Sequence, residues 1–171
     1  MIQVGVVGAG FRSRLATAAE VPGTSRVVAV ADVDEQAARR AVAERHPGAD
    51  TYTDHRALLD RADVDAVLLI TPDHTHADLA CAALQAGKAV FVEKPLATTV
   101  EDCDRVLRVA RETGSRLYVG HNMRHMPVVQ IMPSSGMSVG FKSQTFLPCG
   151  STSTTRLSMP QETRVFPLGN R

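Results

Sequence analysis

The chain has 171 residues, 44% of them hydrophobic and 22% charged, with a formal net charge of +1; this length supports one buried core plus an appendage, and the near-neutral balance argues against nucleic acid or a membrane surface as the main partner. No apolar run approaches the ~20 residues that span a bilayer, and the N-terminus, MIQVGVVGAG, lacks the basic lead-in and cleavage site of a signal peptide. The three cysteines, Cys81, Cys103 and Cys149, are odd in number and without metal-ligand spacing, which points to a cytoplasmic protein with reduced thiols.

Ile2–Val7 is a short apolar run of the kind buried in parallel sheets. A glycine turn leads into a predicted helix over about 11–20, which Pro22 and Gly23 end. The run RVVAVA, residues 26–31, is the second strand, and residues 34–45 are predicted helical. Tyr52 lies in a short strand, and Asp54 is placed to cap the helix HRALLD. Residues 65–70 form the next strand, 76–86 a helix with Gly87 at the terminating position, and 89–92 a further strand. Thr98 or Thr99 caps a helix ending near Gly114, whose first turn carries Glu101 and Asp102, where acids suit the helix dipole. Leu117–Gly120 is the last clear strand. The alternation predicts an α/β fold, a doubly wound parallel sheet with right-handed crossovers and helices on both faces.

The stretch VGVVGAGFRSR sets Gly8, Gly10 and Ser13 in a G-x-G-x-x-S pattern after a strand and at the start of a helix. Gly8 allows a tight turn, Gly10 lets the backbone approach a pyrophosphate at the helix N-terminus, and Ser13 is small enough for close helix–strand packing. Asp32 ends the second strand, 24 residues after Gly8, near the spacing expected for an acid on the adenosine ribose. It is also placed to cap the following helix, and the two roles are compatible. An acid there repels a 2′-phosphate, so NAD is expected rather than NADP. Arg39 and Arg40 are expected to face solvent.

Further along, "DAVLLITPDHTHADLACAALQAGKAVFVEKPLATT" joins a Thr-Pro step and a histidine to AGK-x-V-x-x-EKP, and LYVGHNMRHMP follows. Together with GAG, these motifs resemble the glucose–fructose oxidoreductase, inositol dehydrogenase and MocA-like family (Gfo/Idh/MocA) over residues 1–132. The resemblance implies a Rossmann dinucleotide domain over residues 1–126 and hydride transfer between NAD(P) and a hydroxyl carbon of a sugar, cyclitol or similar polyol. It implies that Gly8, Gly10, Phe11, Arg12, Ser13 and Asp32 contact the cofactor, and that Thr71, Pro72 and His76 line the crevice. Glu93, Lys94 and Pro95 match the family's signature, with Lys94 near nicotinamide and substrate, and Arg124 matches the arginine after the sixth strand. Full-length members are compatible with homo-oligomers.

The chemistry stands on its own terms as well. Ligands of open α/β sheets sit at the carboxyl ends of strands, and Lys94 is at such an end. Pro95 biases Lys94 toward an extended backbone, and the Lys94–Pro95 bond is a candidate for cis. A cation there can hold a substrate hydroxyl and relay its proton as hydride leaves carbon. The competing reading of this tripeptide is a surface ion pair between Glu93 and Lys94. His74 and His76 have no partner cluster for a metal; one is expected to pack at the helix start and the other to face the crevice. His121 and His125 are expected to make ordinary loop hydrogen bonds.

The sequence changes character near residue 133. The 22 alanines all fall within residues 1–132, while the last 39 residues hold 12 serines or threonines and a single acid, Glu162. Residues 127–132 read as the start of a crossover helix that Pro133 stops. The family's second, largely antiparallel domain needs far more than the residues that follow. The expectation is therefore a truncated chain whose residues 133–171 are an irregular tail, either out-of-frame sequence or an evolved Ser/Thr/Pro-rich extension. On that expectation the rival to an enzyme is a nucleotide-binding module or remnant without turnover.

Overall fold

The computed structural model describes residues 1–121. Arg124, His125, the helix start expected over 127–132 and the tail expected over 133–171 lie outside the described residues. Six parallel strands build the fold: β1 Ile2–Val7, β2 Ser25–Ala31, β3 Asp50–Tyr52, β4 Ala66–Leu69, β5 Ala89–Glu93 and β6 Leu117–Gly120. They form one sheet in the order β3-β2-β1-β4-β5-β6. Each strand of this kind is hydrophobic on both sides because both faces are covered, and side chains alternate between the faces. In β1, Val4 and Val6 enter one core and Val7 enters the other.

Helices cover both faces, as the alternation of elements predicts. α1 (Glu35–Arg45) and a 3-10 helix over Phe11–Ala19 bury Ala38, Ala41 and Ala16 against Val4, Val6, Val27 and Val30. On the opposite face α2 (His55–Leu59), α3 (His76–Gln85) and α4 (Val100–Thr113) bury Leu58, Ala80, Leu84 and Val106 against Val67, Leu69, Val90 and Val92. The alanines let helix backbones lie close to the sheet. The order reverses between β1 and β4, so the chain leaves these neighbours toward opposite faces and opens a crevice at their carboxyl ends.

Local chemistry explains where the elements begin and end. The Asp34, Asp54 and Thr99 side chains accept from the backbone N–H groups of Gln36, Arg56 and Asp102, which caps α1, α2 and α4. The cap of α1 is therefore Asp34, leaving Asp32 outside that role. Of the two threonines before α4, Thr99 is the cap. Gly114 follows α4 at φ 67°, the left-handed conformation that stops helices. The first helix differs from expectation by winding as a 3-10 helix. Its hydroxyls suit that turn: Ser13 donates to the Gly10 carbonyl at 2.6 Å and Thr17 to that of Arg14 at 2.8 Å, both three residues back. A further short 3-10 turn, Asp73–Thr75, precedes α3.

Arg61 ties together the sheet edge far from the crevice. It donates to Asp50, to Asp63 at 2.7 Å, to the Tyr52 hydroxyl at 3.3 Å and to the Val28 carbonyl at 3.4 Å. Its guanidinium holds the Asp63 carboxyl below the usual carboxylate range. Arg61→Met is expected to lower stability by about 1–2 kcal/mol, since its partners are half exposed. Cofactor affinity should not change; denaturant unfolding and NAD titration in parallel check both. Among the described residues no helix is long and apolar enough to cross a membrane.

Candidate functional site

The carboxyl ends of β1, β4 and β5 converge on the crevice, and two glycines at the end of β1 serve it differently. Gly8 has φ 99°, and a Cβ there would lie 2.2 Å from the Ile70 carbonyl oxygen. The turn packs directly against the end of β4, and only glycine fits it. Gly10 has φ −66°, which any residue adopts, and a Cβ there would meet nothing within 4 Å. No protein atom requires glycine at this position. The open space beside it is what a ligand approaching the backbone needs.

Asp32 leaves β2 beside this turn. Its Oδ2 accepts from the Ala9 N–H at 2.6 Å and its Oδ1 from the Asp34 N–H at 2.9 Å. The carboxylate thus fixes the glycine loop against the entrance to α1 and keeps lone pairs available for hydroxyl donors. Ser13 is buried, and its Oγ also accepts from Arg45 at 3.1 Å, tying the loop to the end of α1. Beside these residues a cavity of about 370 Å³ is lined by Ala9, Gly10, Phe11, Arg14, Asp34 and Arg40 among others. Phe11 is 82% exposed on its rim, with the Arg14 guanidinium 5.1 Å from the ring centroid. Arg39 and Arg40 are exposed, paired with Glu35 and Asp34.

Beyond β4, Thr71 and Pro72 sit beside the Gly8 turn, with the Thr71 methyl 3.0 Å from where a Gly8 Cβ would lie. The Thr75 hydroxyl lies 2.7 Å from both the Thr71 hydroxyl and the Pro72 carbonyl. His76 is fully buried and does not face the crevice. Its Nδ1 lies 2.6 Å from the Pro95 carbonyl and its Nε2 2.9 Å from that of Thr71.

At the end of β5, Glu93 is 3% exposed. Arg12 Nη2 donates to its Oε2 at 2.9 Å, and the Lys94 N–H reaches the same oxygen at 3.3 Å. Its Oε1 is buried and has no hydrogen-bond partner among the described residues. The ion pair of this signature is therefore Arg12–Glu93, not Glu93–Lys94. Lys94 is exposed, and no hydrogen bond or ion pair of its ammonium is formed among the described residues. The Lys94–Pro95 peptide is cis.

The structure thus gathers Gly8, Gly10, Phe11, Arg12, Ser13, Asp32, Thr71, Pro72, Glu93 and Lys94 at the carboxyl ends of the strands. His76 stands behind them, and Arg124 is outside the described residues. The Arg12–Glu93 contact, 81 residues apart in sequence, carries no local signal; it follows only from β1 and β5 ending at the same end of the sheet. Among the described residues no group of three His, Cys, Asp or Glu side chains is placed to hold a metal ion. Burial pushes the Cys81 thiol up, which argues against a reactive cysteine there.

Residues 2–121 match the GFO_IDH_MocA family, described as an oxidoreductase family with an NAD-binding Rossmann fold. An inositol 2-dehydrogenase of Klebsiella pneumoniae is 39% identical over 118 residues, 68% of this chain and 35% of that protein. The WlbA dehydrogenase of Bordetella pertussis, solved with NADH and UDP-GlcNAcA, superposes with a TM-score of 0.70 at 31% identity, over 75% of this chain and 39% of that one. KijD10, a 3-ketoreductase from Actinomadura kijaniata solved with NADP and TDP-benzene, gives a TM-score of 0.69 at 34% identity, over 75% and 40%. The chain spans about a third of the length of the curated relatives it matches.

Proposed function

Because this chain belongs to the Gfo/Idh/MocA oxidoreductase family, we propose that it is the dinucleotide-binding part of an NAD-dependent dehydrogenase acting on a hydroxyl carbon of a sugar, cyclitol or similar polyol. The observation that carries this reading is the Lys94 ammonium at the end of β5, without a hydrogen bond or ion pair among the described residues and at the same carboxyl end of the sheet as the open space at Gly10. The inositol 2-dehydrogenase name of one relative and the UDP-GlcNAcA bound by another support the substrate class. The three cysteines support a cytoplasmic setting.

The residues present fit the cofactor. Gly8 and Gly10 form the turn, backbone N–H groups at the start of the 3-10 helix face an anion, and Asp32 holds ribose hydroxyls. Phe11, Arg12, Ser13, Thr71, Pro72 and Glu93 complete the wall, the buried Glu93 Oε1, without a partner among the described residues, being an acceptor for a ligand donor. When bound, the nicotinamide supplies the hydride acceptor or donor. Lys94 then orients the substrate oxygen through its nitrogen and carries that oxygen's proton. Arg12 neutralises Glu93, which leaves Lys94 free to turn to the substrate. The dinucleotide domain is assigned to residues 1–126.

Titration of both cofactors, run beside turnover on a polyol panel, tests the reading and separates it from a module that binds without turnover. Absence of dinucleotide binding would sink both. NAD is expected to bind more tightly than NADP, because a carboxylate beside the adenosine ribose opposes a 2′-phosphate. Asp32→Ala is expected to weaken NAD by about tenfold, the loss of charge-assisted hydrogen bonds. It should weaken NADP less and so narrow the preference. Unaltered discrimination would leave Asp32 only its bonds to Ala9 and Asp34.

A further inference from the structure

We propose that His76 is a positioning residue for Lys94, a buried ring that donates from Nδ1 to the Pro95 carbonyl and so ties the start of α3 to the Lys94–Pro95 turn. The inference rests on the proposed role of Lys94 and goes beyond it. His76 opens α3 and is sealed from solvent. Its two ring nitrogens lie 2.6 Å from the Pro95 carbonyl and 2.9 Å from the Thr71 carbonyl. Both partners are acceptors without a proton to give. A neutral imidazole has one N–H, so it bonds one carbonyl and turns a lone pair on the other. The shorter contact, Nδ1 to the Pro95 carbonyl, is the one assigned the N–H.

The consequence is mechanical. Thr71 follows β4 and abuts the Gly8 turn, while Pro95 follows the lysine at the end of β5. One buried ring therefore sets the separation between the segment facing the dinucleotide turn and the segment carrying the ammonium. Water has no access to substitute for it, and α3 fixes where the ring stands. Packing alone would be satisfied by a phenyl ring of similar size; the N–H donor is what a phenyl ring lacks.

Nitrogen NMR of the intact chain at neutral pH, with labelled histidine assigned by substitution, reads the ring directly. A proton on Nδ1 of His76 is the expected result; a ring protonated at Nε2 alone would overturn the tie to the lysine turn. This measurement needs no cofactor, so a failure of NAD to bind would count against the proposed function and not against the tie. Variants supply the second readout. His76→Phe is expected to weaken NAD by about tenfold and to move the side-chain resonances of Lys94, with helical content retained. His76→Asn, which keeps one donor group, should fall between. If His76→Phe lowers stability yet leaves NAD affinity and the Lys94 resonances unchanged, the ring is only packing and the proposal fails.

Discussion

Lys94→Ala is expected to lower turnover by about 10²–10⁴ in any form of this protein that oxidises a polyol, while NAD affinity stays within a few-fold. The split follows from where the residue sits. Its ammonium makes no hydrogen bond or ion pair among the described residues, so its loss leaves no orphaned partner and little stability cost. The dinucleotide turn, Gly8 to Ser13, and Asp32 are held by other contacts altogether. What disappears is the group that orients the substrate oxygen and carries its proton. Lys94→Arg sharpens the test, because it keeps the charge but an arginine does not give up its proton in proteins. If charge alone mattered, Lys94→Arg would restore most of the rate; a rate close to that of Lys94→Ala is expected instead. Wild-type turnover in Lys94→Ala would remove Lys94 from the mechanism, and wild-type turnover in Lys94→Arg would reduce its part to charge. A large rise in the NAD dissociation constant would move its role from proton transfer to cofactor binding.

Why some of this was legible in the sequence and some not has a physical basis. Buried parallel strands must be apolar on both sides, so runs such as VVAV and AVLL announce themselves, and all six strands lie within a residue or two of expectation. Caps are local chemistry, and Asp54 and Thr99 sit where their side chains reach the next backbone N–H groups. The 3-10 winding of the first helix was not legible, because it reflects hydroxyls at Ser13 and Thr17 bonding three residues back in residues that also tolerate an α-helix. Asp32 suits the ribose, the favoured reading, and is also placed to cap the next helix; the chain uses Asp34 for the cap. Contacts between strand ends are set by topology, not by neighbours in sequence. Hence Glu93 pairs with Arg12 from the β1 turn, where proximity in sequence suggested Lys94. The same holds for His76: the sequence has one of His74 and His76 packing at the helix start and the other facing the crevice, and only the meeting of β4 and β5 sets the His76 nitrogens against two carbonyls.

The two glycines of the first turn give the sharpest contrast between a ligand's demand and a fold's demand. Gly10→Val is expected to abolish NAD binding and leave unfolding free energy and helical content close to wild type. The backbone at Gly10, φ −66° and ψ −172°, is one that valine adopts readily, and its Cβ would meet no protein atom within 4 Å. The branched side chain therefore fits the protein and fills the space through which a pyrophosphate approaches the backbone. Gly8→Val is expected to lose binding by a different route. At φ 99° a side chain is strained, and its Cβ would press to 2.2 Å from the Ile70 carbonyl oxygen, a backbone atom that cannot turn away. Conformational strain of about 1–2 kcal/mol and overpacking of about 1–3 kcal/mol add. The sum is a large part of a typical domain's ~5–15 kcal/mol. Calorimetric titration with NAD beside chemical denaturation distinguishes the two: Gly10→Val should change only the first, Gly8→Val both. Undiminished NAD affinity in Gly10→Val would mean that the open space at the end of β1 is not where the dinucleotide lies.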